Sequence, residues 1–385
     1  MYNIKLMNKI EKSGIDHFDT ALYNISETIE NPDAYIVRSA SLHNTEFEPS
    51  LLAIARAGAG VNNIPLDHCS EKGIVVFNTP GANANGVKEL AIAALLLSSR
   101  NIIGGINWAA GLKGQPEVTK LVEKGKSQFA GPEIKGKILG VIGLGAVGGM
   151  VANAAFNMGM DVIGCDPYIT VNAAWSLSRA ISKAENYDEI YSKSEYISLH
   201  VPSLPSTKGL INKDTIAKMK DGVRIINLSR DDIVNSADML EAIQNSKVAC
   251  YVTDFPTDEM LGVEGVIAIP HLGASTPESE ENCAEMAVNE IMEYLEHGNI
   301  INSVNYPTVN HPRNAKNRIC ILHKNIPNML AQFSSLLSKK NVNIESLANN
   351  SLKDNAYSII ETNDDIDDAL SEIQSYNGVI RAFVK

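Results

Sequence analysis

Up to residue 300, short runs of branched apolar residues alternate with stretches whose apolar positions recur every three or four residues. Examples of such runs are 34–37, 74–77, 138–142, 161–164, 197–199 and 224–226. Strands that read as continuous apolar runs and are separated by helical patterns predict stacked βαβ units around parallel sheets. One helix is sharply punctuated. Ser275-Thr-Pro-Glu278 predicts a capping box with proline in the first turn, the helix runs from Pro277 to His297, and Gly298 ends it. The pattern then breaks, because residues 303–317 carry two prolines and several asparagines without apolar periodicity. We take 305–317 as a linker. Beyond it the order is strand 318–322, a helix through Met329, Phe333, Leu336 and Leu337, strands near 342–347 and 356–361, a helix near 366–373 and a strand 379–384. This β-α-β-β-α-β order predicts a ferredoxin-like unit over 318–385.

Composition narrows the class. The 385 residues suffice for two or three domains, and 44% apolar with 20% charged residues is ordinary for a globular chain. The formal charge of −12 disfavours nucleic acid or an anionic membrane as partner, without excluding a small anionic substrate. The longest apolar runs, such as 90–97, are too short to cross a bilayer, and the start lacks a signal-peptide core, so the expected location is the cytoplasm. Five scattered cysteines without a C-x-x-C pair predict buried thiols, with neither a disulfide framework nor a metal site.

The chemistry begins at Gly143-Leu-Gly145-Ala146-Val147-Gly148, directly after an apolar run and at the head of a small-residue helix. In that setting the first glycine permits a tight turn, the second lets backbone approach a pyrophosphate, and the third allows close helix packing. The helix N-terminus adds partial positive charge. Eighteen residues past Gly148 stands Asp166, followed by Pro167 and Tyr168. A carboxylate there accepts from a ribose 2′-hydroxyl and repels a 2′-phosphate, which favours NAD over NADP. Since the loop begins only after 140 residues that themselves contain βα units, a separate domain precedes this Rossmann domain. The fold class is therefore α/β, with two doubly wound parallel-sheet domains and the ferredoxin-like unit. The expected boundaries are 1–95 with 276–304, then 96–275, then 318–385.

Three polar residues stand at the ends of predicted strands: Arg230, Glu259 and His271. Oxidising a hydroxyl by hydride transfer needs a base, and histidine as a residue type suits that task. A carboxylate can orient an imidazole, and an arginine fork can grip a substrate carboxylate. Each residue alone reads equally as a core or surface group. Together with the phosphate-cradling loop they form a constellation.

Several segments carry a resemblance to one family: residues 55–63 (ARAGAGVNN), 78–83 (NTPGAN), the 143–148 loop, 199–202 (LHVP), 226–230 (INLSR) and 270–276 (PHLGAST). The chain resembles the D-isomer-specific 2-hydroxyacid dehydrogenases, and within them the branch that acts on 3-phosphoglycerate. The resemblance implies a triad of Arg230, a carboxylate and His271. Two acids adjoin where the family has one: spacing from Asp254 favours Glu259, and alignment on Phe255-Pro-Thr favours Asp258. It further implies that Asp254 holds the nicotinamide carboxamide, and that His200, Val201, Pro202, Thr207, Leu228, Ser229 and Gly273 line the cofactor. Arg38, Ser39, Gly60 and Asn83 would face the substrate, in a cleft between the two domains. The implied reaction oxidises 3-phosphoglycerate to 3-phosphohydroxypyruvate, opening the phosphorylated route to L-serine.

The C-terminal unit resembles an ACT domain, an amino-acid-sensing module, with Asn328 where a glycine is usual. By that resemblance His323, Asn325 and Asn343 would bind L-serine across a dimer, or the unit would only dimerise. Residues 104–136 correspond to the family's dimerisation excursion, so a homodimer or homotetramer is expected. Two other functions stay open on the sequence: a glyoxylate or hydroxypyruvate reductase, and a nucleotide-sensing binding protein on the same frame.

Overall fold

A computed structural model describes residues 1–385, the side chain at position 367 excepted. The chain divides into two compact units, Met1–Asn83 with Glu280–Lys385, and Ala84–Ser279.

The first unit opens with β1 (Tyr2–Leu6), α1 (Lys12–Ile15), β2 (Tyr23–Ser26), β3 (Ala34–Val37), β4 (Ala53–Arg56), α2 (Leu66–Glu71) and β5 (Val75–Asn78). These strands form a parallel sheet in the order β2-β1-β3-β4-β5, the doubly wound order expected. All four residues of β3 are buried, which is why that run is uninterrupted by polar residues.

The second unit begins with α3 (Ala84–Ser99), α4 (Ile102–Gly111) and α5 (Val118–Gly125). There follow β6 (Ile138–Ile142), α6 (Ala146–Asn157), β7 (Asp161–Cys165), α7 (Val171–Ser176), β8 (Ser182–Lys183), α8 (Tyr187–Lys193), β9 (Tyr196–Leu199) and α9 (Lys213–Ala217). The unit ends with β10 (Val223–Asn227), α10 (Ser236–Gln244), β11 (Val248–Thr253) and β12 (Val266–Ala268). The parallel order is β12-β11-β10-β9-β6-β7-β8, and it reverses between β6 and β9. In such sheets ligands bind outside the carboxyl ends of the strands at that reversal. Helix α3, expected in the first domain up to residue 95, belongs here: it packs on α6, β10 and β11 and buries Ala91, Ala94 and Leu95 with Val151 and Val252.

Back in the first unit run α11 (Pro277–His297, from Glu280 onward), β13 (Asn317–Lys324), α12 (Met329–Lys339), β14 (Ser346–Leu352), β15 (Asn355–Thr362), α13 (Asp367–Gln374) and β16 (Val379–Val384). Thr276, not Ser275, caps α11, since its Oγ1 accepts from Ser279 N at 3.1 Å, and Gly298 ends the helix with φ 71°. The last sheet is antiparallel in the order β14-β15-β13-β16, the ferredoxin-like arrangement. Strand β14 starts four residues later than expected, because Asn341 has φ 56° and Val342 N turns back to Leu337 O. Asn328 adopts φ 75°, so asparagine does fill the turn usually made by glycine.

This C-terminal sheet is not a module on a free tether. Along β13, Ile319 and Ile321 pack against α12 and α13, while Cys320 and Leu322 join a core with Tyr294 of α11 and Phe77 of β5. The segment expected to be a linker is packed as well: Tyr306 is buried with its hydroxyl on Ser70 O at 2.8 Å, and Asn305 Oδ1 accepts from Val76 N. All five cysteines are buried and free.

Candidate active site

The turn from β6 into α6 is built by its glycines. Gly143 has φ 90°, and a Cβ on Gly148 would stand 1.9 Å from Gly143 O, so neither position admits a side chain. Gly145 differs, because a Cβ there would meet nothing within 4 Å. Its backbone faces open space at the head of α6, whose first turn has no side-chain cap. That is a cradle for an anion. Asp166, just past β7, ties this loop to its own: Oδ2 accepts from Leu144 N and Oδ1 from Tyr168 N, each at 2.9 Å. Pro167 continues that turn, and the Tyr168 side chain is exposed.

Across the sheet reversal lies the end of β9. The His200 ring bonds Ser198 Oγ at 2.8 Å, and burial pushes its pKa down to about 4, so it is neutral at physiological pH. Thr207 Oγ1 donates to Pro202 O and accepts from Leu204 N at 2.9 Å, which closes the loop after Val201.

Arg230 follows β10 with its guanidinium exposed. Its backbone is held by Asn227, whose Nδ2 donates to Arg230 O at 2.8 Å and whose Oδ1 accepts from Ser229 N. Ser229 Oγ reaches Leu199 O at 2.6 Å, and Leu228 is buried beside them. Asn227 was missed from sequence; its signal is a polar residue closing the apolar pair Ile225-Ile226.

The two acids weighed for the triad stand side by side on the loop after β11. Asp258 and Glu259 lie exposed on a 3-10 turn, and among the described residues no hydrogen bond or ion pair joins either to His271. The His271 ring instead packs on Phe255, with centroids 4.5 Å apart. Just before Phe255 stands the buried carboxylate of Asp254. Burial pushes its pKa up, while His271 and then Arg230 pull it down, together with the Gly273 backbone. Asp254 is 2% exposed, and its Oδ1 has no hydrogen-bond partner. An orphaned buried carboxylate, an open glycine cradle and an uncapped helix head together fit a dinucleotide.

In the first unit Arg38, at the end of β3, is gripped in two bonds by Glu280, each 2.7 Å. Arg56 Nε donates to Arg38 O at 3.1 Å and its guanidinium to Gly60 O, which knits these segments together. Ser39 is exposed, and Asn83 is half-buried at the unit's edge. The three residues expected at an effector site do not converge within one chain. His323 is buried between Lys324 O and Ser358 Oγ, and Asn325 bonds Lys353 O, at one end of the sheet. Asn343 bonds Glu345 and Asp364 at the other end.

Residues 94–273 match the family of the D-isomer specific 2-hydroxyacid dehydrogenase NAD-binding domain. The D-3-phosphoglycerate dehydrogenase of Haemophilus influenzae is 30% identical over 97% of this chain and 92% of its own length. That of Methanocaldococcus jannaschii is 32% identical over 74% of this chain and 53% of its own, and that of Bacillus subtilis 32% over 82% and 59%. The chain thus spans little more than half the length of these last two relatives. Among solved structures, an NAD+-bound 3-phosphoglycerate dehydrogenase from Entamoeba histolytica aligns with TM-score 0.61 and 25% identity, covering 79% of this chain and 98% of that one. A D-lactate dehydrogenase from Treponema pallidum, at TM-score 0.66 and 22% identity over 79% and 99%, shares the fold. The near-full-length match to the Haemophilus influenzae relative, with a fingerprint loop built as this family requires, establishes that the chain belongs to the D-isomer-specific 2-hydroxyacid dehydrogenases.

Proposed function

We propose that this chain oxidises D-3-phosphoglycerate to 3-phosphohydroxypyruvate with NAD, the entry step of the phosphorylated route to L-serine. The observation that carries the reading is the alignment with the Haemophilus influenzae D-3-phosphoglycerate dehydrogenase over nearly the whole of both chains, C-terminal sheet included. NAD, when bound, would supply the acceptor for the hydride that leaves C2 of the substrate. The loop from Gly143 to Gly148, Asp166 and Asp254 are the residues to hold it. Arg230 offers a two-pronged grip for the substrate carboxylate. His271 takes the 2-hydroxyl proton as C2 loses its hydride, and returns it in the reverse direction. Glu259, or Asp258 beside it, is the acid assigned to assist His271. Arg38 is the residue assigned to the phosphate, for which it must leave Glu280.

The test is NADH oxidation with 3-phosphohydroxypyruvate, beside glyoxylate and hydroxypyruvate, then with NADPH in place of NADH. A marked preference for the phosphorylated acid and for NADH supports the reading; equal rates on all three acids reject it. The same reading places the enzyme in the cytoplasm as a homodimer or homotetramer joined through residues 104–136. L-serine is the effector proposed for the C-terminal sheet. Neither heat nor inhibition with millimolar L-serine would restrict that sheet to a structural role.

A further inference from the structure

One buried acid in the first unit has no part in this chemistry. Glu290 of α11 is only 5% exposed, its Oε1 accepts from Asn302 Nδ2 at 2.8 Å, and its Oε2 has no partner. A leucine there would leave no acceptor unsatisfied, whereas a buried carboxyl with one oxygen unpartnered carries the cost of that lost hydrogen bond. Glu290 also lines a cavity of about 560 Å³, bounded by one face of α11, by Gly81 and Ala82, and by Ile301 and Asn302. That face presents Asn282, Met286, Asn289 and Glu293 at helical spacing, with Glu285 at its edge.

The lining has a definite chemistry. Its titratable groups are Glu285, Glu290 and Glu293, all on α11, and the 81–82 and 301–302 segments add none. Glu293 already accepts from Asn299, and His17 lies 4.0 Å from Glu285. No lysine or arginine lines the cavity, while Ala82, Met286 and Ile301 supply apolar wall. Among the described residues no group of three His, Cys, Asp or Glu is placed to hold a metal ion. An acidic, partly apolar cavity with the half-partnered Glu290 side chain among its lining and no metal geometry suits a donor-bearing organic cation.

We infer that this cavity is a binding site for a small primary amine, whose ammonium group pairs with Glu290 while its aliphatic stem lies on Met286 and Ile301. Burial pushes the Glu290 carboxyl up to about 8, against a smaller downward pull from Asn302. The unliganded site therefore holds a neutral acid at pH 7, and an arriving ammonium displaces its proton into solution. Affinity consequently rises with pH up to about 8, by at most tenfold per pH unit for a single coupled proton.

The experiment is calorimetry on the full chain with n-butylammonium chloride as probe and tetramethylammonium chloride as the control that lacks N–H donors. It is run near pH 7 in two buffers of different ionisation enthalpy. The expected result is saturable binding of butylammonium below about 10 mM, with buffer-dependent heat that reports a released proton, and none of the tetramethyl ion. Glu290→Gln keeps the shape and the Asn302 bond, and should weaken binding at least tenfold and abolish the proton release. The wild-type proton count tests the site even if that variant folds poorly. No binding at about 10 mM, equal binding of both cations, or unchanged affinity in a folded Glu290→Gln chain would each overturn the inference.

Discussion

At the scale of single residues, two buried carboxyls are defined by what surrounds them, and neither is apparent from its neighbours in sequence. Asp254 was assigned to the cofactor by resemblance alone; only the fold reveals that it is buried, half-unpartnered and under the influence of both His271 and Arg230. His271 and Arg230 were singled out in the sequence because chemistry of this kind needs a base and an anion grip at strand ends, and their roles are part of the proposal. Replacing His271 with Ala is expected to cut turnover about 10²- to 10⁴-fold while NADH binding, read by fluorescence titration, stays nearly unchanged. The acid is settled by comparing Glu259→Gln with Asp258→Asn in pH–rate profiles. If only the Asp258 variant moves the profile, Glu259 is a surface group. Glu290 allows a sign to be worked out. Its folded pKa of about 8 lies above the ordinary 4.5, so its contribution is fully present below pH 4.5 and is lost as pH rises towards 8. Glu290→Gln should therefore melt at increasingly higher temperature than wild type from about pH 5 to about pH 8, then level off, for a difference on the order of a few kcal/mol. A gap that does not grow with pH would mean that the carboxyl ionises normally.

At the scale of elements, the β6–α6 turn shows how three glycines in one motif have separable physical roles. Gly148→Ala drives a methyl group into Gly143 O and should cost at least about 1–3 kcal/mol, seen as a lowered melting temperature. Gly145→Ala adds its methyl to open space, so the melting temperature should hold while NADH affinity falls, since the new group stands where the pyrophosphate has to approach. Equal melting losses in both variants would contradict this division. The turn was fully readable from sequence because its requirements are local: a strand before, a helix after, and a backbone that tolerates no Cβ. The start of β14 was not, because the positive φ at Asn341 and the backward bond of Val342 depend on how α12 ends. Residues 84–95 of helix α3 were expected in the first domain, because the apolar face of the helix fits a neighbour that periodicity cannot name.

At the scale of the first unit, the C-terminal sheet and the β1–β5 sheet share one core, and the signal for that was present in the unbroken apolar run of β13. Ile319-Cys-Ile-Leu322 is apolar at every position, which is what a strand covered on both faces requires, whereas a sensing module on a tether would expose one face. The second face is sealed by a buried ion pair. Arg318 donates to Glu361 at 2.6 and 2.9 Å, to the carbonyls of His297 and His311, and to Asn299 Oδ1, so a single guanidinium binds the end of α11, the connecting segment and the sheet. Glu361 is held down as a carboxylate by Arg318, Asn314 N and Ser346, against the upward push of burial. Removing one partner leaves a buried charge uncompensated, so Arg318→Met should destabilise the fold by about 3–5 kcal/mol, and adding Glu361→Leu should recover much of that loss. Ending the chain at residue 304 makes the sharper test. It would uncover Tyr294, Leu295 and Phe77 together, and the expected product is aggregated or unfolded. A truncated protein that stays monodisperse and melts as the parent does would show instead that the shared core contributes little to the stability of the rest of the chain.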